Sequence, residues 1–280
     1  MIVHKLSQRS NATKLAAAGE WYAEDLAPQD QRLVAGWLRK WGAIDIDSID
    51  SRWVKANLTD PRLTEVSPGR VRRELAIFSA MLNFAHRAGL KQDPVWVQRP
   101  TVDDARLVWL TRAQRDAMIA AAEPLRFKAV VSFLFNTGAR LGEALGTTQA
   151  DVQSGCVEFV SRKGRGKVVH RRSVPLRHNL AALLAQSLAG YDGPLLLPDT
   201  KGGRWSDRSV QRHWARLRDS LGHGPEVVPH VARHTFTSLL IQSGRDPLLV
   251  AKLTGHRDPR SLSRYTHLDT GALTNVIAEE

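Results

Sequence analysis

One stretch of this chain, from Cys156 to Pro175, has β character enough to pair with itself. Two β-rich runs within it flank Gly164, Arg165 and Gly166, and glycine supplies the positive-φ positions a tight turn requires. The spacing therefore predicts an antiparallel hairpin. Before it, apolar residues recur at helical spacing, and residues 1–100 hold no clear strand. The expected fold is mainly α with a small antiparallel β-sheet, an α+β arrangement in which the sheet belongs to the second half of the chain.

The helical signals are specific enough to set boundaries. Leu33, Trp37, Leu38 and Trp41 share one face of a segment that opens at Pro28, which places both tryptophans in a core. Ser67 followed by Pro68 has the form of an N-cap and first helical residue. From there Val71, Leu75, Phe78, Leu82 and Ala85 form a buried stripe that Gly89 ends. Lys91–Val108, with Pro94, Pro100 and two adjacent aspartates, reads as an interdomain linker. Thr111 then caps a new helix. The division expected is a helical domain over 1–100, the end of a linker over 101–108, and a second domain over 109–280.

Charge narrows the partner. Forty lysines and arginines against 28 acids give a net charge of +12, and the isoelectric point is near 10.4. The excess is +4 in residues 1–100 (15 basic, 11 acidic) and +8 in the rest (25 basic, 17 acidic). Both parts thus suit nucleic acid. No apolar run approaches the roughly 20 residues of a bilayer span, and the N-terminus lacks the apolar core of a secretory signal. No membrane partner is expected. The lone Cys156, in an apolar run, is expected to be a buried structural thiol, and with no internal disulfide possible a cytoplasmic setting is the simplest.

Chemistry-bearing residues fall in four segments. In Thr137-Gly138-Ala139-Arg140 an apolar helix ends and another starts, so Arg140 is expected in a first turn, where backbone N–H groups favour an anion. Glu143, three residues on, can hold its guanidinium. The hairpin carries six arginines and lysines and no acid between Val160 and Arg172, as befits a basic finger laid on DNA through Arg162, Arg165 and Lys167. Lys163 at its strand end is placed to deliver a proton to a leaving oxygen, with Lys167 an alternative four residues away. In the third segment Pro229 opens a helix on which His230, Arg233 and His234 share a face, with Ala232, Phe236, Leu239 and Leu240 expected to be buried on the other. His230 and His234 do not read as zinc ligands: the HExxH glutamate is absent and Arg233 repels a cation. The fourth segment has a helix stopped at Gly255, then His256, and Tyr265 nine residues later. Outside these segments Arg70, Arg72 and Arg73 crowd a helix N-terminus that disfavours positive charge, as phosphate-binding residues would.

Singly, each of these residues has a structural explanation. As an ordered set (TGAR and Glu143, a lysine on a glycine-turn hairpin, His-x-x-Arg-His, Leu-x-Gly-His, Tyr-x-His) the array resembles the tyrosine recombinase, or phage integrase, family of the two-domain type over about residues 105–270. The resemblance implies an enzyme that cuts and rejoins DNA with protein side chains alone, needing no metal, ATP or other cofactor. It implies Tyr265 as nucleophile forming a 3′-phosphotyrosyl bond, and Arg140 and Arg233 as ligands of the phosphate oxygens. Lys163 would be general acid, His230 would help deprotonate Tyr265, and His256 would hydrogen-bond the phosphate, with Glu143 and His234 in support. It further implies a helical core-DNA-binding domain, double-stranded DNA with specific recombination sites as partner, and a tetramer on two such sites bridged by tail residues 268–280. A bacterial or phage-encoded, nucleoid-associated enzyme is expected, serving element integration, excision or DNA resolution. The short N-terminus leaves little room for a separate arm-binding domain ahead of the helical one. A type IB-like topoisomerase shares the chemistry and is the main alternative, and a non-catalytic DNA-binding protein leaves the array unexplained.

Overall fold

A computed structural model describes residues 13–102, 108–163, 168–256, 262 and 265, with the backbone alone described at 161–163 and 168. The chain falls into two compact units, Met1–Ala105 and Arg106–Glu280. Twelve helices and three strands are described, and no helix among the described residues is long and apolar enough to cross a membrane.

The first unit is helical. It comprises α1 (Leu15–Ala23), α2 (Pro28–Trp41), α3 (Ser51–Val54), α4 (Asp60–Glu65) and α5 (Pro68–Arg87), with a π-helical turn at Lys55–Thr59 joining α3 to α4. All five residues of the α5 stripe are buried, and Phe78 packs edge-on against Trp37 with ring centroids 5.1 Å apart. Trp41 meets Trp53 in the same core. Ser67 occupies the N-cap position of α5, but its side chain makes no capping bond, so Pro68 at the first turn carries the start of this helix.

Two expectations change here. The segment read as linker begins later, because Val95 and Val97 are buried in the first core and the Lys91 ammonium, also buried, donates to the Ile46 carbonyl at 2.9 Å. Its prolines punctuate a docked strap. The arginines at the start of α5 also have partners inside the protein: Arg70 binds Glu74 at 3.1 Å, Arg73 pairs with Asp30, and Arg72 donates to the Pro100 carbonyl. Glu74 itself is only 2 % exposed and also takes two hydrogen bonds from Arg62, each 2.9 Å. An acid one turn inside the helix thus offsets Arg70, while Arg72 and Arg73 are held by Pro100 and Asp30.

The second unit is built around α7 (Leu125–Thr137), buried on nearly every side from Phe127 to Thr137 and packed by α6 (Arg112–Ala121), α9 (His178–Ser187) and α11 (His230–Gln242). Phe127, Phe133 and Phe135 are each about 1 % exposed or less. Burial of such a ring contributes roughly 1.5–3 kcal/mol, enough to make α7 the centre of the core. Thr111 caps α6 with a complete capping box. The short α8 (Leu141–Gly146) follows α7, then come β1 (Val152–Gln153), β2 (Cys156–Lys163) and β3 (Val168–Pro175), antiparallel in the order β1-β2-β3. The α+β expectation is met. The turn residues 164–167, with Arg165 and Lys167, lie outside the described residues, as do the side chains of Arg162 and Lys163.

In β2 the side chains alternate, Val157 and Phe159 inward and Glu158 and Val160 outward. The register pairs Phe159 with Arg172, so Arg172 faces inward with Val174 and not outward with Arg171. That separates Arg172 from the basic finger to which it was assigned. Cys156 is half-buried, more accessible than expected. The helices α10 (Asp207–Ser220) and α12 (Pro247–Thr254) complete the unit.

Glu74 generates a stability prediction. Burial alone would raise its carboxyl pKa, but hydrogen bonds and charge from Arg62 and Arg70 outweigh that and hold it below the ordinary range. A depressed carboxyl stabilises above its unfolded value and loses that contribution as pH falls through the folded value. Glu74→Ala is expected to cost about 1–3 kcal/mol at pH 7, short of a fully buried pair because Arg62 and Arg70 both reach solvent. Urea unfolding at pH 7 and pH 3 measures it: the difference between variant and wild type should shrink at the lower pH, and a loss under 0.5 kcal/mol at pH 7 would refute the role given to Glu74.

Candidate active site

The α7–α8 corner presents Arg140. Gly138 ends α7 with φ +60°, and the Phe236 ring lies 2.5 Å from where a Cβ would stand, so both conformation and space demand glycine. Its carbonyl accepts from Arg233 Nη1 at 2.8 Å, tying the corner to α11. Arg140 is the N-cap residue of α8 and precedes the first turn in which it was expected. Its backbone N–H is taken by Glu143 Oε2 at 3.1 Å, and its Nη1 donates to Glu143 Oε1 at 2.9 Å. The backbone donor foreseen for an anion is thus satisfied by Glu143, and what Arg140 offers a ligand is its guanidinium.

Glu143 also accepts from Arg172 Nη2 at 2.5 Å. Burial raises its carboxyl pKa, but the Arg140 backbone hydrogen bond and the two guanidinium groups bring it below the ordinary range, so it stays ionised. Arg233, 3 % exposed, gives its hydrogen bonds to Gly138 and to His256 Nε2, 3.4 Å away. Burial and the charges of Arg140 and Arg172 lower its pKa to about 10. Two guanidinium groups therefore bind one carboxylate while a third feels its charge, and the cluster carries positive charge in excess. Such an arrangement relaxes on binding an anion.

On α11, burial extends round the helix from Val231 to Ser238, sparing only His234, which is half-buried. Ala232 and Phe236 are buried as expected, whereas Leu239 and Leu240 are only half-buried. His230 is solvent-exposed and lies edge-on to His234 with ring centroids 4.6 Å apart. The residue in contact with Tyr265 is His234: its Nδ1 lies 2.7 Å from the tyrosine hydroxyl. The resemblance implied that His230 helps deprotonate Tyr265 and put His234 in support. The histidine against the hydroxyl is His234, one helical turn further, with the His230 ring packed against it. Tyr265 is 4 % exposed and packs on Ala251 and Leu262.

His256 follows the positive-φ cap Gly255 of α12, and its backbone N–H reaches the Ala251 carbonyl at 3.0 Å. Its Nδ1 lies 2.5 Å from Thr254 Oγ1, whose hydroxyl proton goes to the Val250 carbonyl at 2.7 Å. Thr254 therefore accepts from Nδ1–H, and Nε2 carries the lone pair toward Arg233. Its ring centroid is 6.2 Å from that of Tyr265. Partial burial and the charges of Arg233 and Arg140 lower the His256 pKa to about 4. The His230 pKa is lowered too, by the neighbours that cover part of its ring and by the same two charges, although the residue still reaches solvent.

Arg140, His230, Arg233, His234, His256 and Tyr265 are thus brought together with Glu143, while Arg70, Arg72 and Arg73 lie in the other unit. The backbone of Lys163 ends β2, paired with Val168. Arg172 was missed as a member of the cluster. The signal for it was present: strand alternation places residues 172 and 174 on one face, and Val174 marks that face as inward.

Residues 108–271 match the phage integrase family. The chain is 29 % identical over 266 residues to the tyrosine recombinase XerC of Xanthomonas campestris pv. campestris, covering 90 % of this chain and 80 % of that one. It is 28 % identical over 280 residues to XerC of Chromohalobacter salexigens, covering 95 % and 89 %. In fold it is similar to the Tn1549 transposon integrase in complex with circular intermediate DNA, with TM-score 0.78, 15 % identity and coverage of 95 % and 99 %. A lambda integrase tetramer bound to a Holliday junction gives TM-score 0.72, 16 % identity and coverage of 92 % and 85 %.

The neutral state of His256 can be measured. Its folded pKa near 4 lies below the unfolded value of about 6.5, so between these values the unfolded chain binds a proton that the folded chain does not. This group therefore removes stability as pH falls from about 6.5 to 4. The NMR ring signals of His256, assigned by loss in His256→Gln, are expected to stay flat from pH 8 to pH 5 in DNA-free protein. A midpoint near 6.5 would contradict the placement.

Proposed function

Because the chain belongs to the phage integrase family, we propose that it is a site-specific DNA recombinase that cuts and rejoins strands through a 3′-phosphotyrosyl bond to Tyr265. The observation that carries this reading is a buried tyrosine hydroxyl in contact with a histidine, in a cluster where Arg140 and Arg172 bind one carboxylate and Arg233 reaches His256. A non-catalytic DNA-binding protein needs no such tyrosine. The relatives are recombinases, which disfavours the topoisomerase alternative.

The roles follow from chemistry. Arg140 and Arg233 bind the non-bridging oxygens of the scissile phosphate, and their hold strengthens as charge builds in the transition state. A phenol must lose its proton to become a good nucleophile, and Tyr265 is no exception. We assign that proton to the pair His234 and His230, with His234 as the direct acceptor. The tyrosine oxygen then bonds to phosphorus, the bond to the 5′ oxygen breaks, and Lys163 protonates the leaving oxygen, with Lys167 as the alternative acid. His256 is neutral while the site is empty. A bound phosphate raises its proton affinity, so that Nε2 donates to a phosphate oxygen. The covalent bond conserves the phosphodiester energy, and a 5′-hydroxyl of another strand reseals the break.

The finer assignments complete the reading. The first unit supplies the core-DNA-binding part, with duplex DNA carrying specific sites as partner. Arg162, Arg165 and Lys167 on the hairpin contact the DNA backbone. The exposed side chains of Arg70, Arg72 and Arg73 reach it only by sharing or leaving their internal partners. Four copies act on two sites, with tail residues 268–280, outside the described residues, as the bridge between copies. The setting is the cytoplasm of a bacterium, and the task is integration or excision of a mobile element or resolution of DNA.

Incubation with nicked duplexes followed by denaturing electrophoresis tests the chemistry. Wild-type protein is expected to trap its own site covalently, and Tyr265→Phe to lose the adduct entirely while binding the same DNA. Retention of the adduct in Tyr265→Phe would overturn the assignment. Deletion of 270–280 is expected to abolish cooperative binding to paired sites by gel shift while leaving single-site binding. Unchanged cooperativity would remove the tail from the proposal.

A further inference from the structure

Arg172 has no part in the reaction above, yet one side chain joins three elements of the site. Its centre lies 4.0 Å over the Phe159 ring, on the inner face of the sheet. Nη2 reaches Glu143 Oε2 at 2.5 Å, on α8. Nη1 donates to the Leu253 carbonyl at 3.1 Å, in the last turn of α12, where carbonyls lack helical partners and a cation is favoured. Its Cδ and Nε stand 3.0 Å from the position a Cβ would take on Gly255, the residue before His256. The side chain is 10 % exposed.

We propose that Arg172 is a positioning residue that fixes the spacing of Arg140 and His256, so that strand cleavage depends on it and DNA binding does not. This rests on the phosphotyrosine reading given above. Arg140 is held by both oxygens of Glu143, and Arg172 competes for one of them, Oε2. Without that competition Glu143 is free to draw Arg140 toward itself and away from the phosphate. The tether to Leu253 fixes where α12 ends, and His256 follows two residues after Thr254 and three after Leu253. A planar guanidinium can direct two donors to two separated acceptors while stacking on a ring, and an ammonium cannot.

Arg172→Lys keeps the charge and removes the fork. In single-turnover cleavage of a nicked duplex that wild type traps, its rate is expected to fall at least tenfold. DNA affinity should stay within about threefold of wild type, and the melting temperature should change little. Arg172→Met, which fills the volume over Phe159 without burying a charge, is the second variant should the lysine form fail to fold, with the same expectation. Loss of the tether and of its carboxylate should not multiply, so a double variant with Glu143→Gln should cleave no more slowly than the worse single variant. Wild-type cleavage in either folded Arg172 variant overturns the proposal, as does a fall in DNA affinity large enough to account for the lost rate. Wild-type protein and Tyr265→Phe run alongside: absence of a wild-type adduct would sink the phosphotyrosine reading itself, whatever Arg172 does.

Discussion

Glu143 is the acid on which the second unit's chemistry is organised. Three guanidinium groups brought into one partly buried cluster repel each other, and every one of them loses hydration. A single ionised carboxylate makes the cluster tolerable without neutralising it. It closes the N-terminus of α8, orients Arg140 and receives Arg172 from the sheet. One more acid would halve the excess positive charge an anion meets, and one fewer would leave Arg140 without a fixed orientation.

The backbone around that carboxylate is set by steric demands far from polar chemistry. Gly138 is required because Phe236 fills the space beside it, and the carbonyl so exposed is the one that Arg233 holds. Apolar packing between α7 and α11 thus determines where Arg233 points. Thr254 acts similarly on His256, since its hydroxyl is already committed to the helix and can only accept. Both are cases in which packing or a prior hydrogen bond decides the state of a charged or titratable neighbour.

Much of this was legible in the sequence, and the gaps have physical reasons. Helical stripes such as Val71 to Ala85, the capping box at Thr111 and the hairpin all depend on neighbours in sequence, where periodicity carries the information. The ordered array from Arg140 to Tyr265 was also legible, because its residue types are rare in that combination. Which histidine meets Tyr265 was not, since His230 and His234 lie on the same helical face and only tertiary packing distinguishes them. Arg172 was hidden among six basic residues of one hairpin, and counting charge concealed the alternation that turned it inward. The internal partners of the α5 arginines were hidden for a related reason. Glu74, which binds Arg70, looks in sequence like one more exposed helical acid, and its burial goes with the hydrogen bonds it takes from Arg62, twelve residues earlier.

The covered position of Tyr265 has a consequence for timing. The Tyr265 side chain is 4 % exposed and its hydroxyl is bonded to an imidazole. On the proposed reading, meeting DNA and breaking it are then separate events, because the hydroxyl must be uncovered before it can attack. A nucleophile kept covered in the empty site would, on that reading, leave intact any duplex that is bound without being the target.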